Sequence, residues 1–566
     1  MTKNINYLIA LILFAVIFTN CQQKKAEVVE STTTNTFTNP ILAGFYPDPS
    51  ICKAEDKFYL ITSSFAYYPG IPIFESDDLV NWKQIGHAID RPEQMNFNGQ
   101  GTSRGLFAPA ISYHQGKYYI VCTHVDKGGN FIITADNPAG PWSQPTYLPK
   151  LNGIDPSLYF EGDKLFIVYN SIPPNNESLY EGHRTIRMFE LDINTFETLG
   201  EEKLLVNGGV DLSKKPVWIE APHLYHINDY YYLMCAEGGT AYDHSEVIFR
   251  SKNVDGPFEP WDQNPILTQR HLNPARPNPV TTSGHADIVE VKDGEWWAVF
   301  LACRPYGDNF YNIGRETFMT PVSWTDGWPV INPDFEEIQY QYPTPLGNEV
   351  EASAFSYSGI FSFKDEFEGE QLDMHYLFLR TPEEKWYHIK DGQLSLQLRN
   401  ADLSSLSNPS YIAHRQQHHE GSASVGLTFE PIQEGEMAGL AAFQSAKNYY
   451  LLAKTMIDGK SAVALYQSND SSMQAIASAP LTSEEATLDL KINFDKENYS
   501  FYYKEGAGEW TLIKDQVDGT FLSTQVAGGF VGSTIGMYAF GKEGTDNQAQ
   551  FDYYEYQGDD QVFKSL

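Results

Sequence analysis

Three carboxylates stand out by position rather than by type. Asp48 opens Asp48-Pro-Ser-Ile, Asp155 opens Asp155-Pro-Ser-Leu, and Glu220 immediately precedes Ala221-Pro-His-Leu. An Asp-Pro-Ser taken alone is an ordinary turn initiator. Three acidic residues at or beside equivalent points of a repeated segment can instead converge on one place. Two carboxyl groups flanking a glycosidic bond can hydrolyse it with inversion when they stand roughly 6.5–9.5 Å apart. The protonated one gives its proton to the leaving oxygen, and the ionised one takes a proton from the attacking water. A third carboxylate keeps the acid protonated by like-charge repulsion.

The elements that must position these groups are read from an internal repeat. Five segments share one plan, a short strand, a Gly/Asp/Asn turn, and a strand rich in aromatics and branched aliphatics. They begin at Asp48, Ala108, Asp155, Ala221 and Ala286, and their second strands follow at Lys57, Lys117, Lys164, Tyr230 and Glu295. Each is a hairpin signal. Ser76–Trp82, Ala135–Trp142 and Ser251–Phe258 resemble one another and read as the same loop in different copies. The spacing of the repeats suits a four-stranded propeller blade. The fold predicted is all-β: a five-bladed β-propeller over 38–340, with the repeat starts facing a central channel. Residues 341–358, with Pro343, Pro345 and Gly347, read as a linker. From 359 to 566 alternating strands such as Gln393–Leu398 and Ser424–Phe429 predict an antiparallel β-sandwich.

The first residues predict export. Lys3 precedes an apolar run from Tyr7 to Phe18, too short to span a bilayer, and Cys21 follows with Gln22-Gln-Lys-Lys. Residues 1–20 resemble a lipoprotein signal and 21–37 a flexible tether. The expectation is a lipid anchor at Cys21 and a periplasmic or outer-membrane-associated protein; an ordinary signal peptide with an incidental cysteine is the alternative. The net charge of −34 repels polyanions and argues against nucleic acid as a partner. A neutral oligo- or polysaccharide is indifferent to that field. Aromatics at 14% favour strands and supply rings for stacking on sugars. Cys52, Cys122, Cys235 and Cys303 are far apart without a C-x-x-C pair, so buried free thiols are expected rather than a metal cluster, although an exported location would permit disulfides.

Several segments, in order along the propeller, resemble glycoside hydrolase family 43: Asn39–Ile51, Ser63–Ile73, Gly153–Ser157, Trp218–Leu224, Thr282–Ala286 and Ile313–Phe318. Phe361–Phe367 through Ala413–His418 resembles the concanavalin-like jelly-roll module of the family's β-xylosidase-like members. The resemblance implies an inverting glycosidase with Asp48 as general base, Glu220 as general acid and Asp155 as modulator of the acid. It places Arg315 on sugar hydroxyls and carboxylates, with a structural ion pair as the alternative. Phe65 would wall the first sugar pocket, or be a core ring. Thr240 would line the leaving-group side, or belong to a plain turn. His285 would lie near the channel axis, where related enzymes can hold calcium through a water shell; a structural histidine is equally compatible, and no cofactor is required. Phe107 stands where the family usually has Trp, so the pocket is reshaped. Phe530, in Gly528-Gly-Phe-Val-Gly532, resembles an aromatic that the sandwich presents to the site, or is a residue of its core.

The leading expectation is an exo-acting β-xylosidase on xylo-oligosaccharides or arabinoxylan fragments, with α-L-arabinofuranosidase next. Retaining fructan hydrolases share the architecture but start with an Asn-Asp-Pro-Asn motif, whereas this chain has Tyr46-Pro-Asp-Pro-Ser50. A non-catalytic glycan-binding lipoprotein would be expected to lack a carboxylate, and all three are present.

Overall fold

The computed structural model describes residues 33–351, 356–470, 472–482 and 487–566. The signal segment and Cys21 lie outside the described residues. Five sheets, each built from strands taken in chain order, form the five blades. Their innermost strands are Ser50–Ala54, Gly105–His114, Gly153–Glu161, Glu220–Ile227 and Thr281–Lys292, and these contact one another in a ring. In every blade a two-residue turn leads to the second strand, with left-handed backbone at Glu55, Gln115, Gly162, Asn228 and Asp293. Such turns match the twist of the flanking strands. The second strands are continuous apolar runs because each blade is covered on both faces by its neighbours. Leu60 and Ile61, Ile120 and Val121, and Ile167 and Val168 are all fully buried. The three resembling loops each follow a third strand, those ending at Ser76, Ala135 and Ser251. They tuck an aromatic ring inward: Trp82 donates to the Leu79 carbonyl and Trp142 to that of Pro138.

The ring closes through its first segment. Asn39 donates to the Met319 carbonyl at 2.8 Å and accepts from the Met319 N–H at 2.9 Å, and Leu42 bridges Thr317. Thr36–Thr38 pairs with Gln341–Pro343, and Thr33–Thr34 with Val350–Glu351. The expected boundaries therefore shift at this seam: the end of the 21–37 tether and the start of the 341–358 linker are paired strands.

The C-terminal sandwich stacks two antiparallel sheets, and every strand expected from its alternation is present. One sheet includes Gln393–Gln397, Glu420–Thr428, Thr487–Asp495 and Asn498–Glu505. The other ends on Leu377–Leu379, which pairs with propeller residues Tyr67–Tyr68. The segment Arg415-Gln-Gln-His418 lies against the propeller. Arg415 donates to the Phe45 carbonyl at 3.0 Å and packs over Tyr46, and Gln417 donates to the Ala43 carbonyl at 2.8 Å. The stretch that leads into Asp48 is thus clamped from the sandwich. Arg304 is buried between the units, bonded to Glu316 and to Asp560 of the sandwich. The four cysteines of the propeller are free thiols, three of them buried and Cys52 half-buried.

Candidate active site

One backbone device repeats around the channel. Asp48, Ala108, Asp155, Ala221 and His285 all have left-handed backbone, with φ of 56°, 37°, 52°, 50° and 53°. In the last four blades this residue and its successor interrupt the register of the innermost strand. A bulge of this kind re-aims side chains, and bulges gather next to active sites. The fifth repeat therefore starts at His285, one residue before the Ala286 expected from sequence. Asp48, Asp155 and His285 occupy the left-handed position itself. Glu220 occupies the position before it, as Phe107 does in the second blade.

All nine candidate residues line one pocket of about 200 Å³: Asp48, Phe65, Phe107, Asp155, Glu220, Thr240, His285, Arg315 and Phe530. Arg315 Nη1 donates to Asp48 Oδ1 at 2.9 Å and Ser63 Oγ to Asp48 Oδ2 at 2.6 Å. Ser63 Oγ is itself fixed by the Ala108 N–H at 2.7 Å. His285 Nδ1 is 3.5 Å from Asp48 Oδ1. Phe65 and Phe107 meet edge to face with centroids 5.5 Å apart, and Phe530 packs on both. Phe530 reaches across from the sandwich, its N–H donating to Ser103 Oγ at 2.9 Å. Its carbonyl accepts from Arg315 Nη2 at 3.5 Å.

The electrostatics separate the carboxyl groups. Burial pushes Asp48 up, but Arg315, His285 and the Ser63 hydroxyl outweigh it and hold the group below its ordinary value. Burial raises Glu220 well above its ordinary value, and the charges of Asp155 and Asp48 push it further. Asp155 is pushed up to about 7 by burial and by Asp48, against a hydrogen bond from the Ala221 N–H. Burial drives His285 down to about 3, so its charge acts on Asp48 only in acid and Arg315 is the cation that favours ionised Asp48 at neutral pH. The two groups are thus driven apart, Asp48 toward the ionised form and Glu220 toward the protonated one. Opposed pKa values in one site are the signature of an acid–base pair.

His285 stands two residues before a carboxylate, Asp287, that could face a cation. Nearby Asp287 is committed: it accepts from Ser50 Oγ, the Ile51 N–H and Tyr225 OH at 2.7–2.9 Å. Among the described residues no cluster of three or more His, Cys, Asp or Glu could hold a metal.

Sequence reading missed Arg104, Asn170, Arg184 and Trp218, which also line the pocket. Trp218 stood in the quoted motif, two places before Glu220. Asn170 is the penultimate residue of the second strand Lys164–Ser171 and donates to the Ile219 carbonyl at 2.6 Å. Arg184 follows a long connection that carries no motif.

Residues 37–329 match the glycosyl hydrolases family 43, and residues 364–557 match the beta xylosidase C-terminal concanavalin A-like domain. The chain belongs to family 43, and is a glycoside hydrolase. It is 38% identical over 525 residues to a xylosidase/arabinosidase of Butyrivibrio fibrisolvens, covering 91% of this chain and 98% of that one. It is 36% identical over 532 residues to a non-reducing end alpha-L-arabinofuranosidase of Bacteroides ovatus, covering 92% and 94%. A family 43 crystal structure retrieved from a capybara gut metagenome superimposes with a TM-score of 0.84 at 38% identity, covering 90% and 95%.

Proposed function

We propose that the protein is an exo-acting β-xylosidase that releases terminal xylose, with inversion, from xylo-oligosaccharides or arabinoxylan fragments. The observation that carries this reading is the small pocket walled by three phenylalanines. Its volume of about 200 Å³ falls below the roughly 300–1,000 Å³ of pockets that hold drug-sized ligands. Phe65, Phe107 and Phe530 wall it on one side, which favours one terminal sugar over a chain running through.

The chemistry follows from the two protonation states. Glu220 gives its proton to the glycosidic oxygen as the bond to the anomeric carbon breaks. Water attacks that carbon from the opposite face and loses a proton to Asp48. The sugar leaves with inverted configuration, and solvent exchange restores both groups. Asp155 keeps Glu220 protonated, while Arg315 keeps Asp48 ionised and presents donors to sugar hydroxyls.

α-L-Arabinofuranosidase is the second reading, favoured by the Bacteroides ovatus relative and by Phe107, which replaces a larger ring at the pocket wall. Nitrophenyl β-D-xylopyranoside and nitrophenyl α-L-arabinofuranoside, assayed in parallel, decide between them. Faster release from the xyloside supports the first reading, and release from the arabinofuranoside alone replaces it with the second.

The protein is also proposed to be exported and lipid-anchored at Cys21. The support is the order Lys3, apolar Tyr7–Phe18, Cys21 and a polar segment. Cys21→Ala should move the protein from the membrane to the soluble fraction; an unchanged distribution would refute the anchor.

A further inference from the structure

Trp218 differs from every other ring in the pocket. Phe65, Phe107 and Phe530 pack on one another, whereas Trp218 lines the same pocket and is 37% exposed. Its backbone is left-handed, with φ of 46°. A bulky residue rarely adopts that conformation, and it persists only where the surroundings hold it. Here the Trp218 N–H donates to the Gly182 carbonyl at 2.9 Å. Gly239 lies beside the six-membered ring: a Cβ at that position would be 3.5 Å from Cε3 and 3.8 Å from Cζ3. The indole therefore touches the Gly239 segment, and its exposure leaves part of the ring open to a ligand.

The position along the chain gives the ring its meaning. Ile219, between Trp218 and Glu220, is fully buried, while Trp218 and Glu220 both line the pocket. Gly239 precedes Thr240, and Gly182 lies two residues before Arg184; Thr240 and Arg184 also line the pocket. Arg315 bonds both Asp48 and the Phe530 carbonyl, and none of these three has a contact with Trp218 among those described above. The sugar that receives the proton of Glu220 must lie beside Glu220, which stands two residues from Trp218 in the same pocket.

We propose that Trp218 is the stacking platform for the leaving-group sugar, flanked by Arg184 and Thr240, and that it sets a preference for glycosyl over non-sugar leaving groups. The inference rests on the xylosidase reading. The apolar C–H face of a pyranose would cover the open part of the indole, while the two polar side chains meet ring hydroxyls.

The test compares xylobiose with β-D-xylosyl fluoride, whose leaving group is a single atom and cannot stack. An aromatic contact of this kind corresponds to about a tenfold effect. In Trp218→Ala the ratio of kcat/KM for xylobiose to that for the fluoride should fall by that factor, and in Trp218→Phe by less. Hydrolysis of the fluoride reports that the variants are folded. A ratio unchanged in both variants, with wild type active on both substrates, would overturn the role of Trp218 alone. Wild type active on neither would overturn the xylosidase reading and this inference with it.

Discussion

Arg315 Nη1 and Asp48 Oδ1 lie 2.9 Å apart across the seam where the last blade meets the first. Both side chains are buried, so little solvent screens the pair. The same guanidinium faces the sandwich, with its centre 5.6 Å from the Phe530 ring. One arginine thereby joins the base, the ring closure and the second domain.

Replacing Arg315 by Met should move the acid limb of the kcat/KM profile to higher pH. The guanidinium favours the ionised form of Asp48, so its loss raises that pKa and protonates the base at a pH where the wild-type base is still ionised. The kcat/KM profile reports the free enzyme. An acid limb that stays in place would remove Arg315 from the control of Asp48.

Asp155→Asn should act on the other limb. The charge of Asp155 is one of the causes that raise Glu220. Its removal lets Glu220 lose its proton at lower pH, so the alkaline limb should shift down. A shift upward, or a change confined to the acid limb, would contradict the modulator role.

The tongue Gly528–Gly532 should be intolerant of a side chain at Gly529. A Cβ there would lie 2.2 Å from Ser103 Oγ, on a backbone with φ of +81°. Gly529→Ala should displace Phe530 and lower kcat/KM about tenfold, as Phe530→Ala should by loss of the ring contact. Thermal unfolding, measured alongside, should change little, because the tongue is a small part of the contact between the domains. Full activity in both variants would show that the sandwich does not shape the pocket.

Much of this was legible in the sequence, for a physical reason. A propeller repeats one blade, so equivalent positions carry equivalent turns, and the Asp-Pro and Ala-Pro pairs mark the bulges directly. The fifth start was displaced by one residue because His285-Ala286 lacks the proline that flags the others. Trp218 and Arg184 were not legible as site residues: each is placed by an irregular connection whose path depends on tertiary contacts such as Trp218 with Gly182. The paired strands at 36–38 and 341–343 were hidden because their partners lie at opposite ends of the propeller.

Arg304 carries a prediction about stability. Its guanidinium meets Glu316 at 2.7 and 3.0 Å and Asp560 at 2.7 Å, all buried. Arg304→Met would leave two buried carboxylates without their cation, a loss of about 3–5 kcal/mol. Urea unfolding should show a lowered midpoint, and an unchanged midpoint would mean that the interface does not depend on this cluster.

The division of labour between Glu220 and Asp48 is tested most directly by Glu220→Gln assayed on two leaving groups. On xylobiose, which needs a proton at the departing oxygen, the account predicts a loss of about 10²–10⁴ in kcat. On 2,4-dinitrophenyl β-D-xyloside, whose leaving group departs without one, it predicts a far smaller loss, while Asp48→Asn should be impaired on both. An equal loss of Glu220→Gln on the two substrates, or undiminished hydrolysis of xylobiose, would contradict the assignment of Glu220 as the acid.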